Sequence, residues 1–205
     1  MFPELSRTAR RTALLIALVS AVSLGMQALY LMDALELGLA ATLWDMARYF
    51  TILTHGLVVV TFAVISRPLR GGVSGPWLAA LTLSVGMVGA VYHLLLSGLV
   101  EFSGIGWWAD HGLHSVVPVA LLLWWLVHAP KRRLVYADLP IFVLWPSVYA
   151  TYALWRGSLD GVYPYPFIDL PVIGEVAAAV NMAALLVLFL LGGVGMIAVG
   201  RYADR

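Results

Sequence analysis

Residues 172–199 read VIGEVAAAVNMAALLVLFLLGGVGMIAV, with Glu175 as the sole charge. A helix needs about 20 mostly apolar residues to cross the hydrocarbon of a bilayer, so this run is long enough to cross alone. The runs 12–32, 48–66, 77–100, 108–128 and 139–157 repeat the pattern. They are continuously apolar instead of alternating, which argues against a β-barrel. The chain of 205 residues is 62% hydrophobic and 11% charged, with a mean hydropathy of +0.92. Soluble chains carry roughly 25% charged residues. The expectation is an all-α integral membrane protein: one six-helix transmembrane bundle over residues 1–205.

Several function classes fall away on composition. The chain has no cysteine, which excludes disulfides, thiolate nucleophiles and iron–sulfur clusters. No basic run is long enough to track a phosphate backbone, so a nucleic-acid partner is not expected. No stretch of six or more residues recurs between the halves, so an inverted-repeat transporter gains no support. The first apolar run follows Arg7, Arg10 and Arg11 as a signal peptide would. It is too long for that role, lacks a small-x-small cleavage site, and reads as an anchor.

Charge placement predicts orientation. Of the 12 Lys and Arg residues, only Arg48 and Arg156 fall among the odd-numbered connections. Arg7, Arg10, Arg11, Arg67, Arg70, Lys131, Arg132, Arg133, Arg201 and Arg205 fall on the other side, which places both termini in the cytoplasm. On the opposite, outer face, Asp33–Ala–Leu–Glu36 resembles a capping box opening a short interfacial helix that feeds the second span. The segment Gly161–Val–Tyr–Pro–Tyr–Pro–Phe–Ile–Asp169 suits the headgroup region and is placed to roof a pocket.

Ionisable groups inside a span are costly and mark sites. At 1.5 Å per residue, Thr51 and His114 lie roughly 5 Å below the outer charges Arg48 and Asp110, and His55 and His93 about 10–12 Å below theirs. Thr51, Thr54 and His55 share one helix face. Asp110 and His114 share another, with His111 at its edge. Tyr149, Tyr152 and Arg156 form a stripe on the fifth span, and Asn181 sits on the sixth. Pro118 lacks the N–H that would bond the His114 carbonyl, so a bend is expected there.

Three readings compete. In the first, Thr51 is a nucleophile and His114 its base, oriented by Asp110 or a tyrosine, with oxyanion donors sought among Arg156, Tyr149, Tyr152 and Asn181. The substrate is then an ester entering laterally from the bilayer, and no cofactor is needed. In the second, His111 and His114 with His55, His93 and Asp110 hold a metal, or His55 and His93 ligate a haem. In the third, the bundle binds lipid without catalysis, and Thr51 and Thr54 bond only carbonyls of their own helix.

The motifs Arg48–Tyr–Phe–Thr–Ile–Leu–Thr54, Asp110–His–Gly–Leu–His–Ser115 with Pro118, and Leu154–Trp–Arg–Gly157 before Tyr163–Pro–Tyr–Pro–Phe167 resemble the androgen-induced type of membrane threonine hydrolase. That family includes the androgen-dependent TFPI-regulating protein and six-span bacterial relatives. The likeness covers nearly the whole chain and is nearest to the bacterial branch, which implies a bacterial inner-membrane location. Animal members hydrolyse fatty acid esters of hydroxy fatty acids. The resemblance implies Thr51 as nucleophile and His114, the second histidine of His-Gly-x-His, as base. His55 departs from the bacterial pattern, which often has asparagine there.

Overall fold

The computed structural model describes residues 5–68, 73–131 and 134–202; Arg70, Arg132, Arg133 and Arg205 of the orientation argument lie outside them. The described residues are helical, with no strand among them. The elements are α1 (Arg7–Ala34), α2 (Leu39–Met46), α3 (Phe50–Ile65), α4 (Gly75–Val91), α5 (Gly104–His111), α6 (Val117–His128), α7 (Leu139–Asp160), α8 (Leu170–Ile173) and α9 (Glu175–Tyr202). Each of the six apolar runs is thus helical.

Four stretches are long and apolar enough to cross a membrane: Arg7–Ala34, Gly75–Leu96, Gly104–His128 and Glu175–Tyr202. The pair α2 and α3, bent by 100° at its break, makes a fifth. Helix α7 has 22 residues, and its prolines, tyrosines, tryptophans and Arg156 lower its apolar character. Large apolar side chains such as Leu15, Val22, Val60, Leu123, Val127 and Leu191 lie exposed on the flanks, as a lipid-facing surface would have them.

Successive long helices alternate in direction. At one end, here the lower, the start of α1 meets the end of α6, where Trp124 Nε1 donates to the Ala9 carbonyl at 3.0 Å. Lys131 Nζ donates to the carbonyls of Trp125, Leu126 and Ala129 and so closes the C-terminus of α6. The main core occupies this end: Phe62, Leu81, Val85, Leu121, Trp125, Phe142 and Ile197. Helix α1 joins it through a small-residue stripe, Ala9, Ala13, Ala17 and Ser20, which allows close approach to α3.

The upper end carries a second, aromatic cluster of Tyr149, Ala153 and Ile168 with Phe50, Tyr152, Tyr165 and Phe167. The capping-box expectation is corrected here. Helix α1 runs through Asp33 to Ala34, Glu36 adopts a left-handed φ of 53°, and the short cross-helix starts later, behind Gly38.

Two spans widen before they end. A π-turn, Tyr92–Leu96, follows α4, and another, Gly112–Val116, links α5 to α6. The second lies just ahead of Pro118, whose missing donor is accommodated by this turn. The freed His114 carbonyl faces Gly89 of α4, where a β-carbon would come within 3.1 Å of it. A side chain there would push the two helices apart by a few tenths of an ångström.

Candidate active site

Most hydroxyls in these helices bond one turn back, as membrane Ser and Thr commonly do. Thr82, Ser84 and Thr151 donate to the carbonyls of Leu78, Ala80 and Ser147. Thr51 and Thr54 are bonded differently. Thr54 Oγ1 accepts the Trp145 indole N–H at 2.9 Å, and Thr51 Oγ1 lies 3.4 Å from His114 Nε2. Thr51 sits in the first turn of α3, and the Arg48 carbonyl three residues back accepts from the Tyr149 hydroxyl.

From Thr51 a chain of polar groups runs across three helices. His114 Nδ1 is 2.9 Å from Asp110 Oδ1, and the Tyr92 hydroxyl donates to Asp110 Oδ2 at 2.5 Å. A carboxylate only accepts, so the His114 proton resides on Nδ1 and the Nε2 lone pair faces the Thr51 hydroxyl. The Tyr92 ring stacks on the imidazole, with centroids 4.0 Å apart and planes inclined by 11°. His114 is therefore fixed along its edge by Asp110 and across its face by Tyr92. Asp110 is 4% exposed and Thr51 9%.

Tyr165, from the segment between α7 and α8, covers this chain. Its hydroxyl accepts the Phe50 N–H at 3.0 Å and lies against Thr51. Burial raises its pKa above the ordinary tyrosine value, so it stays a neutral donor. The first helical bond of α3 is Leu53 N–H to the Tyr49 carbonyl, which leaves the earlier N–H groups of the first turn outside the ladder. The neutral Tyr165 hydroxyl and the positive end of the α3 dipole thus lie beside Thr51.

Two cavities meet at this point. One, of about 370 Å³, lies between α4, α7 and α9 and is lined by apolar groups such as Met87, Val91, Leu154, Met182 and Phe189. The other, of about 450 Å³, lies beneath the end of α1 and beside α5, with Gln27, Tyr30, Asp45 and Phe102 on its wall. Thr51, Tyr92, Leu96, His114 and Tyr165 line both.

The other polar residues singled out from the sequence stand elsewhere. Fully buried His55 points Nδ1–H at the Thr51 carbonyl, 2.8 Å away, and braces the first turn of α3 behind the hydroxyl; its Nε2 has no partner. His93 Nε2 pairs with Ser115 Oγ at 3.0 Å on the exposed flank. His55 is buried and His93 exposed, each with its own partner, an arrangement that lends the haem reading no support. His111 stacks on Trp107 and bonds its carbonyl. Among the described residues no three His, Asp or Glu gather as a metal-holding group.

The residues expected as oxyanion donors have partners of their own, and of them Tyr149 lines the α4–α7–α9 cavity with Thr51. Arg156 donates to the Tyr152 hydroxyl and the Trp44 carbonyl and covers the Trp44 ring at 4.1 Å, which ties α2 to α7. Tyr149 donates to the Arg48 carbonyl, and Asn181 to the Phe167 carbonyl. Arg48 in turn binds both oxygens of Asp160 and the Val162 carbonyl. These residues hold the cover over the site. The Tyr163 ring packs on Gly157, where a β-carbon would collide with it.

Tyr92 and Tyr165 are the residues that sequence reasoning did not assign to the chain. Tyr165 carried a signal, the Pro- and aromatic-rich loop already read as a roof. Tyr92 carried none, since an ideal 3.6-residue helix does not predict which side a π-turn presents. No family model, curated protein or solved structure matches the chain.

Proposed function

We propose that the protein is an intramembrane lipid-ester hydrolase with Thr51 as nucleophile and His114 as general base. The observation that carries this reading is the chain Tyr92–Asp110–His114–Thr51 ending between two largely apolar cavities. A threonine hydroxyl is too weak to attack an ester unless a base takes its proton, and a neutral imidazole oriented by a carboxylate meets that need.

In this mechanism Thr51 Oγ1 attacks the ester carbonyl carbon as its proton passes to His114 Nε2. The tetrahedral oxyanion is met by the Tyr165 hydroxyl, whose oxygen is held by the Phe50 N–H at the start of α3. The bond to the alcohol oxygen then breaks, and His114 returns the proton to the departing alcohol. Water attacks the acyl-threonine, gives its proton to His114, and releases the fatty acid with Thr51 restored. Asp110 stabilises the imidazolium formed in each half.

The resemblance to androgen-induced type hydrolases supports the same pair. We place the chain in a bacterial inner membrane as six spans with cytoplasmic termini; the alternating helix directions and the concentration of Arg and Lys at the lower end support this. Purified protein should turn over a long-chain fatty ester and react with a fluorophosphonate at Thr51. Thr51→Ala and His114→Ala should lose turnover and labelling while remaining folded. Lipid binding with neither labelling nor turnover in the wild type would overturn the proposal.

A further inference from the structure

Thr51 and His114 stand on different helices, so packing alone sets the 3.4 Å between hydroxyl and imidazole. Thr51 lies in the first turn of α3, and His114 lies in the π-turn Gly112–Val116. Backbone bonds in that turn run five residues back, as from the Val117 N–H to the Gly112 carbonyl. The next bond in register would join residue 118 to the Leu113 carbonyl, and Pro118 has no N–H to give.

His55 lies where the two turns meet. Its ring is wholly buried, Nδ1–H donates to the Thr51 carbonyl at 2.8 Å, and the Leu113 carbonyl lies against the same ring. A neutral imidazole carries a single N–H, and this one is given to Thr51. Nε2 and the Leu113 carbonyl are both acceptors, and Nε2 makes no hydrogen bond. The ring therefore bonds one turn and spaces the other. Helix α1 backs both. Ser20 Oγ donates to the His55 carbonyl at 3.3 Å. Ser23, three residues on and so on the same face, packs on Gly112, where a β-carbon would collide with its hydroxyl.

We infer that His55 is a positioning residue: held from behind by α1, it joins the turn of Thr51 to the turn of His114 and sets the separation at which nucleophile and base meet. It lines neither cavity, so it acts through the backbone of its neighbours and not on the substrate. The inference rests on the hydrolase reading above and adds to it a residue that touches none of the reacting atoms.

The test uses full-length protein in phosphatidylcholine nanodiscs, with the 4-nitrophenyl ester of a long-chain fatty acid as substrate. Fluorophosphonate labelling run to completion counts the competent sites. In His55→Ala, kcat per labelled site should fall about a hundredfold, the cost of misplacing the pair by roughly 1 Å, with KM held within about twofold. His55→Asn, whose amide N–H can reach the Thr51 carbonyl, should recover about tenfold of that loss. Gly112→Ala, which drives the π-turn off Ser23, should lower kcat in the same way, and adding Ser23→Gly should restore it. That pair decides the matter if His55→Ala does not fold. Fewer labelled sites with an unchanged kcat per site would make His55 a support of the fold only and overturn the inference while the hydrolase reading stands. Loss in His55→Ala that His55→Asn does not relieve overturns the role given to the Thr51 carbonyl bond. Absence of turnover and of labelling in the wild type overturns both readings.

Discussion

At the lower end of the bundle Phe62, Leu121, Phe142 and Ile197 close on one another with almost no exposure, and hydroxyls such as Thr82 and Ser84 bond within their own helices. At the upper end α4 and α6 each open into a π-turn, and two cavities stand where packing would otherwise be continuous. The polar groups there reach between helices: Tyr92 to Asp110, His114 to Thr51, Tyr165 to Phe50. Density at one end fixes the helices, so the other end can keep open space and still hold four side chains in line. Dense packing and the polar chain with its cavities are thus largely housed in different halves.

That separation is open to direct attack with substitutions that act on one half only. The largest effect belongs to Thr51→Ala and His114→Ala, for which turnover should fall on the order of 10⁴–10⁶-fold. His114→Ala leaves the buried Asp110 carboxylate with Tyr92 alone and should lower the melting temperature, whereas Thr51→Ala, whose bond to His114 is long, should barely shift it. A comparable loss of stability in Thr51→Ala would show that the whole polar chain supports the fold.

Phe142→Ala is the mirror experiment. The side chain is wholly buried and packs onto Gly193 of α9. Soluble cores lose about 3–5 kcal/mol on such a truncation. In lipid the unfolded helix stays in an apolar solvent, so mainly packing is lost and about 2–3 kcal/mol is expected. Reversible denaturation in mixed micelles measures it. The fraction still folded should keep its kcat; a fall in kcat would show that the lower core sets the geometry of the site.

Tyr92→Phe probes the boundary, since it keeps the ring stacked on His114 and removes only the hydroxyl on Asp110. A charge-assisted hydrogen bond contributes about 1.5 kcal/mol, equivalent to roughly a tenfold fall in kcat. KM should hold, because the ring that lines both cavities is kept and only the hydroxyl on Asp110 is lost. A change in KM alone would show that the hydroxyl contacts the substrate directly.

The same division explains what could be read from the sequence. Apolar run length identified every long helix, because the lipid requirement acts on each span separately. Depth counting brought Thr51 to His114, and i,i+4 spacing brought Asp110 to His114, pairings that survive although His114 itself lies in the second π-turn. Tyr92 was invisible because a π-turn resets the phase beyond Val91. Arg156, Tyr152 and Asn181 share the level and polarity of site residues, yet they anchor the cover, and linear order does not show where a long side chain ends. Asp33–Glu36 matched a capping box by type, but the apolar run of α1 carried the helix through Asp33 to Ala34.

The smallest effect concerns that cover. Asp160, at the end of α7, accepts from the Val162 backbone and from Arg48, and these contacts hold its pKa below the ordinary carboxylate value. A group whose folded pKa is depressed stabilises the fold above its unfolded pKa of about 3.9 and loses that contribution as pH falls through the folded value. The carboxylate is partly solvated, so the contribution is small. Asp160→Asn should therefore melt slightly below the wild type at pH 7 and at pH 5, with the gap closing below about pH 4. Because Arg48 also accompanies the turn that presents Thr51, the variant should show a modest rise in KM as the 161–169 segment loosens. A gap that persists unchanged at low pH would assign the effect to something other than the carboxylate charge, since an amide oxygen still accepts the Val162 N–H, and would leave the Arg48 ion pair without a role in holding the cover.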